Sequence, residues 1–166
     1  GTVYQPDEVR ALAQFAHERK LFLHMDGARI SNAATALGQT LRQATRDLGV
    51  DVLSFGGTKN GLMGVEAVVF FDKTLAENFL YLRKQGMQLA SKMRFLSVQM
   101  ETLLTNDLWR RNAEHSNKMA KLLEQEVRKR LGNFILAEDD QKLEGVVLEA
   151  LASRKASVAI VETFTG

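Results

Sequence analysis

The chain has 166 residues, of which 45% are hydrophobic and 25% are charged, a composition typical of one soluble globular domain or of one domain and part of another. Its formal net charge is only +2, which excludes the strongly basic surface that attracts nucleic acids or anionic membranes. It contains no cysteine, which excludes disulfide frameworks and thiolate catalysis and agrees with a cytoplasmic location.

The first half of the chain alternates helical and strand patterns. Residues 6–19 are predicted as an amphipathic helix, because acidic residues follow Pro6 at the positive end of the helix dipole and apolar residues recur at helical spacing. Residues 31–37 and 40–48 are predicted as further helices, and a glycine follows each. Short apolar and β-branched runs predict three strands, at 21–25, 50–55 and 66–71.

Polar, glycine-containing turns follow the first two predicted strands. The first turn reads HMDGAR and the second GGTKNG. In open α/β sheets, ligands bind beyond the carboxyl ends of parallel strands, so Asp26 and Lys59 are expected to face one crevice. The third run, EAVVFF, is interpreted as a core strand beside the second. Residues 72–131 are predicted to be nearly all helical and to end in a long charged helix at 108–131.

The motifs HMDGAR and SFGGTKNG, in this order and with a helix between them, closely resemble those of the threonine aldolase and β-eliminating lyase family of pyridoxal-phosphate (PLP) enzymes. The resemblance covers about residues 1–131. It implies an α/β fold: part of a PLP-dependent transferase-like large domain, of the aspartate aminotransferase type, followed by long helices. The implied divisions are the C-terminal half of the large domain at 1–77, a helical connection toward the small domain at 78–136, and an incomplete segment at 137–166.

The resemblance also implies roles for individual residues. Asp26 would pair with the pyridine nitrogen of PLP, and Lys59, the catalytic residue, would bind the cofactor as a Schiff base. Arg29 would lie near the phenolic oxygen of the cofactor and the substrate. Because the pyridine ring spans the space between them, the Asp26 carboxylate and the Lys59 amine are expected several ångströms apart. In the protein without cofactor, a direct ion pair between them is the alternative, because opposite charges in a partly buried pocket attract strongly.

Further cofactor contacts are expected from basic residues. Lys92 and Arg94 match the basic segment that, in the family, reaches the cofactor phosphate, often from the neighbouring subunit. A solvated basic helix face is the alternative for both, because phosphate contacts need a defined geometry. His24 is either a cofactor-site residue or a packed residue at a strand end. No metal site is expected.

The residue types at the two motifs suit this chemistry. A lysine amine can hold PLP covalently, and a carboxylate keeps the pyridine nitrogen protonated, so that the ring accepts electron density when a bond to Cα breaks. Burial near cationic groups would favour the neutral amine that Lys59 needs during exchange with substrate. Gly56 and Gly57 are expected to let the backbone pass close to a flat ligand with positive φ.

The implied reaction is the cleavage of a β-hydroxy amino acid such as threonine to glycine and acetaldehyde. The chain opens as if in the middle of such an enzyme and shows no glycine-rich phosphate loop before His24, so a fragment that lacks part of the site is expected. The alternative is a non-catalytic truncated or fused fragment that acts only in folding or interaction. The expected partners are a small amino-acid substrate and further copies of the chain in a dimer or tetramer, without nucleic acid or membrane.

After about residue 137 the first resemblance ends. The tail resembles the opening of a CinA-type nicotinamide-nucleotide amidohydrolase domain, whose first strand ends in a motif like ESCTGG. Here the chain ends in ETFTG, with Thr163 at the position of the family serine. A nucleotide amidohydrolase is therefore a minor third interpretation, and a complete site of that kind is not expected.

Overall fold

The computed structural model describes residues 2–135, 137 and 142–157. The chain forms two compact units, Gly1–Ala120 and Lys121–Gly166. Among the described residues, every helix is too short or too polar to cross a lipid bilayer. The domain boundaries expected from the sequence, at 77 and 136, remain a prediction.

The first unit is a mixed α/β structure. Its strands are β1 (His24–Gly27), β2 (Val52–Gly56) and β3 (Glu66–Phe70). Its helices are α1 (Pro6–Glu18), α2 (Ile30–Ala36), α3 (Phe79–Gln85), α4 (Arg94–Leu104) and the first part of α5 (Leu108–Leu131). Short 3₁₀ turns occur at Arg46–Leu48, Thr58–Asn60, Lys73–Ala76 and Thr105–Asp107.

The sheet has the order β1-β2-β3. β1 and β2 are parallel, with Asp26 opposite Ser54, which agrees with the predicted βαβ unit. β3 runs antiparallel to β2, with Glu66 opposite Gly56. The prediction that β3 lies beside β2 is confirmed, but its interpretation as pure core is wrong, because its residues are exposed or only half-buried. An edge strand with one strand neighbour is covered less than a central one.

The ends of the predicted elements differ from the structure in two places. The first strand was predicted at 21–25, whereas β1 begins at His24, because the preceding Leu21 and Phe22 are 57% and 65% exposed and lie outside the ladder. The helix predicted at 40–48 is a series of turns that ends in a 3₁₀ turn. There Thr40 and Gln43 exchange side-chain to backbone hydrogen bonds, as at the start of a helix, but the backbone of Thr45, with a φ of −134° and a ψ of −88°, is not helical and interrupts it.

The amphipathic helix predicted at the start of the chain is confirmed as α1. Pro6 occupies its first turn, and the Gln5 N–H donates to the Glu8 carboxylate at 2.6 Å as part of a capping box. Val9 packs with Leu48 and Val50 in a small core cluster. This cluster fixes α1 against the start of β2.

The main core lies between the sheet and the helices that follow it. Its buried members come from α2, β2, α4 and α5 and from the turn before β2: Ile30, Ala34, Ala44, Leu53, Phe55, Leu103 and Trp109. The second half is largely helical, as predicted, and α5 has the bounds predicted for the long charged helix. The core therefore holds β2, and the turn that follows it, against the helical segment.

The second unit contains the end of α5, a 3₁₀ turn at Gly132–Phe134 and α6 (Leu143–Ser153). Ion pairs of Glu124 with Arg128 and of Glu126 with Arg130 lie along α5 at helical spacing. Thr163 and the motif around it, on which the amidohydrolase resemblance depends, lie outside the described residues.

Candidate active site

A cleft of about 790 Å³ lies beside the carboxyl end of β1 in the first unit. Apolar side chains of α1 and α2, including Val9, Ile30 and Ala33, form much of its wall. Among the described residues that line it, the charged ones are Asp26, Arg29 and Lys59. The structure thus brings three of the predicted site residues together, at the strand ends where the sequence predicts them.

Asp26 is held by the turn that follows it. Its Oδ1 accepts a hydrogen bond of 3.0 Å from the backbone N–H of Ala28, an arrangement typical of Asx turns. Among the described residues, no ion pair joins Asp26 to Lys59, although both line the cleft. The carboxylate and the amine therefore face one space without neutralising each other.

Arg29 is the residue that precedes the first turn of α2, three positions after Asp26. It is exposed, and its side chain contributes to the cleft wall. Its backbone carbonyl accepts the N–H of Ala33, so the start of the helix fixes the backbone from which the guanidinium extends.

Lys59 is the central residue of the 3₁₀ turn Thr58–Asn60. Gly61, with a φ of 102°, ends this turn in the left-handed region, which glycine adopts without strain. Lys59 is exposed, so the burial expected for its amine is not provided by the described residues. Lys59 nevertheless lines the cleft.

Two side-chain contacts hold the turn at its ends, and the sequence reasoning missed both. The Glu66 carboxylate accepts the backbone N–H groups of Gly57 and Thr58, each at 3.1 Å. Asn60 is buried, and its Nδ2 donates to the carbonyl of Trp109 at 3.1 Å. Glu66 could have been identified from the sequence, because it is a charged residue at the start of the otherwise apolar run EAVVFF.

The expectation for Gly56 and Gly57 is wrong in its physical reason. Neither has a positive φ, and Gly57 has a φ of −92°. A Cβ on Gly56 would lie 2.5 Å from the Ala28 carbonyl oxygen, and a Cβ on Gly57 would collide with the Val65 carbonyl. Both glycines are needed for close approach to the protein's own backbone.

The other predicted cofactor contacts lie outside this cleft. His24 is exposed, and its Nε2 is 2.8 Å from the Ser54 Oγ. Lys92 and Arg94 are exposed near the start of α4, where the Arg94 guanidinium lies 4.9 Å from the centroid of the Phe95 ring. Their predicted contact with a phosphate, from a neighbouring subunit, remains a prediction.

No group of three or more potential metal ligands of the His, Cys, Asp and Glu types occurs in the part of the chain that the structure describes. The cleft presents a carboxylate, an amine and a guanidinium, which match the polar groups of an organic ligand.

Comparison with known proteins decides the family. Residues 1–150 match the family model described as β-eliminating lyase. The chain belongs to the β-eliminating lyase family. Members of this family are PLP-dependent enzymes, which agrees with the cofactor implied by HMDGAR and SFGGTKNG.

Relatives of this family member include the low specificity L-threonine aldolase of Pseudomonas aeruginosa, which is 52% identical over 123 residues. That alignment covers 74% of this chain and 36% of the relative, so the chain spans about a third of the relative's length. The solved structure of threonine aldolase from Leishmania major matches with a TM-score of 0.72 and 32% identity, covering 78% of this chain and 38% of that one. The predicted fold class, part of a PLP-dependent large domain followed by long helices, is confirmed.

The second resemblance is also found. A CinA-like protein of Dictyoglomus thermophilum is 38% identical over 53 residues, which cover 32% of this chain and 13% of that protein. The alignment thus covers only a small part of that protein, and Thr163 lies outside the described residues.

Proposed function

We propose that this chain supplies the catalytic-lysine part of a PLP-dependent site that cleaves a β-hydroxy amino acid such as threonine to glycine and acetaldehyde. The observation that carries the proposal is the convergence of Asp26, Arg29 and Lys59 on one cleft. The name of the relative from Pseudomonas aeruginosa, an L-threonine aldolase, supports the choice of substrate.

The residues present fit this cofactor. An aldehyde needs an amine, a protonated pyridine nitrogen needs a carboxylate, and a phenolate oxygen is matched by a guanidinium. The cleft offers Lys59, Asp26 and Arg29 for these three groups, and its apolar wall suits the face of an aromatic ring. Because Asp26 and Lys59 form no ion pair in the described structure, both remain available to a ligand.

Bound PLP supplies an electron sink for the bond to Cα that breaks. The Asp26 carboxylate would accept a hydrogen bond from the protonated ring nitrogen, and the bond from Ala28 N–H to its Oδ1 keeps the carboxylate oriented. The Lys59 amine would hold the cofactor, release it to the amino group of the substrate, and take it back after product leaves. The Arg29 guanidinium would bind the phenolic oxygen of the cofactor and would lie near the substrate.

The proposal includes a homo-oligomer. It also includes a cytoplasmic location, with which the absence of cysteine is compatible. Large apolar side chains on α3 and α4 are unusually exposed, with Leu80 at 69% and Tyr81 at 72%. Lys92 and Arg94 lie near this surface in sequence but away from the cleft of their own chain. A second copy would cover the apolar side chains and bring these cations to a phosphate.

The binding part of the proposal is tested by adding PLP and recording the visible absorption spectrum, then reducing with borohydride and mapping the modified lysine by mass spectrometry. We expect an absorption band and a modification at Lys59. Lys59→Ala should abolish both. Lys73→Ala is the matched control, because Lys73 is also exposed on a 3₁₀ turn but does not line the cleft.

A folded protein that gives no band, or whose modification is spread over surface lysines and unchanged by Lys59→Ala, would contradict the proposal. It would favour the alternative, a non-catalytic fragment that acts only in folding or interaction. The homo-oligomer is tested separately by light scattering, where a monomer at micromolar concentration counts against it and a Leu80→Asp variant should dissociate an assembly.

A further inference from the structure

The turn that carries Lys59 has backbone donors that need acceptors. It begins directly after β2, and its first N–H groups, those of Gly57 and Thr58, precede any carbonyl that the turn itself could offer. Both N–H groups donate to the same side chain, the carboxylate of Glu66, with one oxygen for each at 3.1 Å. A single carboxylate therefore determines where the turn starts.

The sheet register places this carboxylate. Glu66 is the first residue of β3 and lies opposite Gly56, the last residue of β2. The side chain of Glu66 thus starts opposite the residue that precedes the two amides it binds. Two parallel bonds from backbone amides to one carboxylate fix its orientation as well as its distance.

The other end of the turn is fixed by α5. The buried Asn60 donates to the Trp109 carbonyl at 3.1 Å, and its own carbonyl accepts from Asn112 Nδ2 at 2.9 Å. Lys59 lies between these bonds and those of Glu66. Its side chain carries no hydrogen bond or ion pair among the described residues, so the backbone of the turn is what sets where this flexible side chain starts relative to the cleft.

We propose that Glu66 is a positioning residue for Lys59: its carboxylate fixes the amides of Gly57 and Thr58 so that the Lys59 amine is directed into the cleft beside Asp26. This inference rests on the proposed function, in which Lys59 holds the cofactor. Glu66 itself does not line the cleft and contacts neither Lys59 nor Asp26 in the described structure.

The test compares Glu66→Gln with the wild-type chain. Glutamine keeps the length of the side chain but replaces one carboxylate oxygen by an NH₂ donor, so in the wild-type geometry one of the two amides would face a donor instead of an acceptor. Hydrogen exchange of the Gly57 and Thr58 amides, measured by NMR on the cofactor-free protein, should accelerate about tenfold for at least one of them, the change expected for the loss of one hydrogen bond.

The second readout is the rate at which PLP becomes bound to Lys59, trapped with borohydride and measured by mass spectrometry. Glu66→Gln should slow this rate by about tenfold, the effect of one lost hydrogen bond at a positioned group. Glu77→Gln is the control, since Glu77 is an exposed glutamate of the same unit that does not contact the turn. Circular dichroism and the melting temperature show whether each variant is folded.

The outcomes separate the two proposals. A wild-type chain that is not modified at Lys59 overturns both. Wild-type modification with an unchanged rate in Glu66→Gln overturns only the inference about Glu66, even if amide exchange is faster, because the contact would then be structural alone. If Glu66→Gln does not fold, Glu66→Asp gives the same measurements with the charge kept and the reach shortened, and wild-type behaviour there counts against the inference.

Discussion

Gly56 lies directly against Ala28, so that a Cβ added to Gly56 would be 2.5 Å from the Ala28 carbonyl oxygen and 2.6 Å from the Ala28 Cα. Gly56 ends β2, and Ala28 lies in the turn that follows β1. The turns that carry Asp26 and Lys59 are therefore in contact through their backbones. The distance between the Asp26 carboxylate and the Lys59 amine depends on this backbone contact, which leaves no space for a side chain at Gly56.

We expect Gly56→Ala to destabilise the protein by about 1–3 kcal/mol, the usual cost of overpacking, because the backbones must separate. The Asp26 turn should move with them, so the yield of PLP bound to Lys59 should also fall. Urea denaturation and the trapping assay measure the two effects. Gly64→Ala is the control: nothing lies within 4 Å of its added Cβ, and a change of stability within about 0.5 kcal/mol is expected there.

Replacing Asp26 by Asn should separate cofactor binding from turnover. Asparagine keeps an oxygen that can accept the Ala28 N–H, so the turn is preserved. It removes the charge that keeps the pyridine nitrogen protonated, and we expect turnover per bound cofactor to fall by about 10²-fold or more, as when one preorganised group is lost. Trapping at Lys59 and acetaldehyde release are measured on separate portions of one preparation. Equal losses in both would show that Asp26 acts in binding alone.

Asn60→Ala should destabilise the protein by about 0.5–1.5 kcal/mol, because it removes the hydrogen bond that a buried side chain makes to the Trp109 carbonyl. The midpoint of urea denaturation measures this change. Asn78→Ala is the matched control, since Asn78 precedes α3 without a side-chain hydrogen bond to it. Similar shifts for both variants would mean that the Asn60 contact contributes little.

Asp72 should make stability depend on pH in the acidic range. The backbone hydrogen bond from Thr74 and then its side-chain hydrogen bond hold the pKa of this exposed carboxyl below its ordinary value of 3.8. A lowered pKa in the folded state means that the contribution is fully present above 3.8 and is lost as the pH falls through the folded-state pKa. Asp72→Ala should thus be less stable than the wild type at neutral pH, and the difference should vanish in strong acid. A difference that persists there would contradict the expectation.

The strand-end residues could be predicted from the sequence because the signal is local. Asp26 and Lys59 each follow a short apolar run, and parallel strands place such positions at one edge of a sheet. The contacts that hold Lys59 could not be predicted in this way. Glu66 reaches the turn through the register of an antiparallel pair, and Asn112 reaches it from 52 residues away. Spacing in the sequence does not encode such registers.

The errors have local causes as well. Residues 40–48 have an apolar helical pattern, but the backbone of Thr45 is not helical and its hydroxyl donates to the Leu41 carbonyl, so the segment forms turns. The sequence predicts that Gly56 and Gly57 are required as glycines because of a positive φ. Glycine is required there because other backbone segments pack directly against these positions. The sequence indicates that a position requires glycine, but it does not show which neighbouring atoms exclude a side chain there.

The sheet order also bears on the sequence of events during folding. β2 and β3 are joined by residues 57–65, whereas residues 28–51 separate β1 from β2, so the entropy lost on closing the first connection is smaller. The turn that carries Lys59, with the Glu66 carboxylate bound to it, should therefore form in the folding transition state, before the turn that carries Asp26 packs against it. Mutations at Glu66 should then slow folding, whereas mutations at Met25 should chiefly speed unfolding. The local hairpin of β2 and β3 would form the Lys59 part of the site first. The Asp26 part would form later, when β1 pairs with β2.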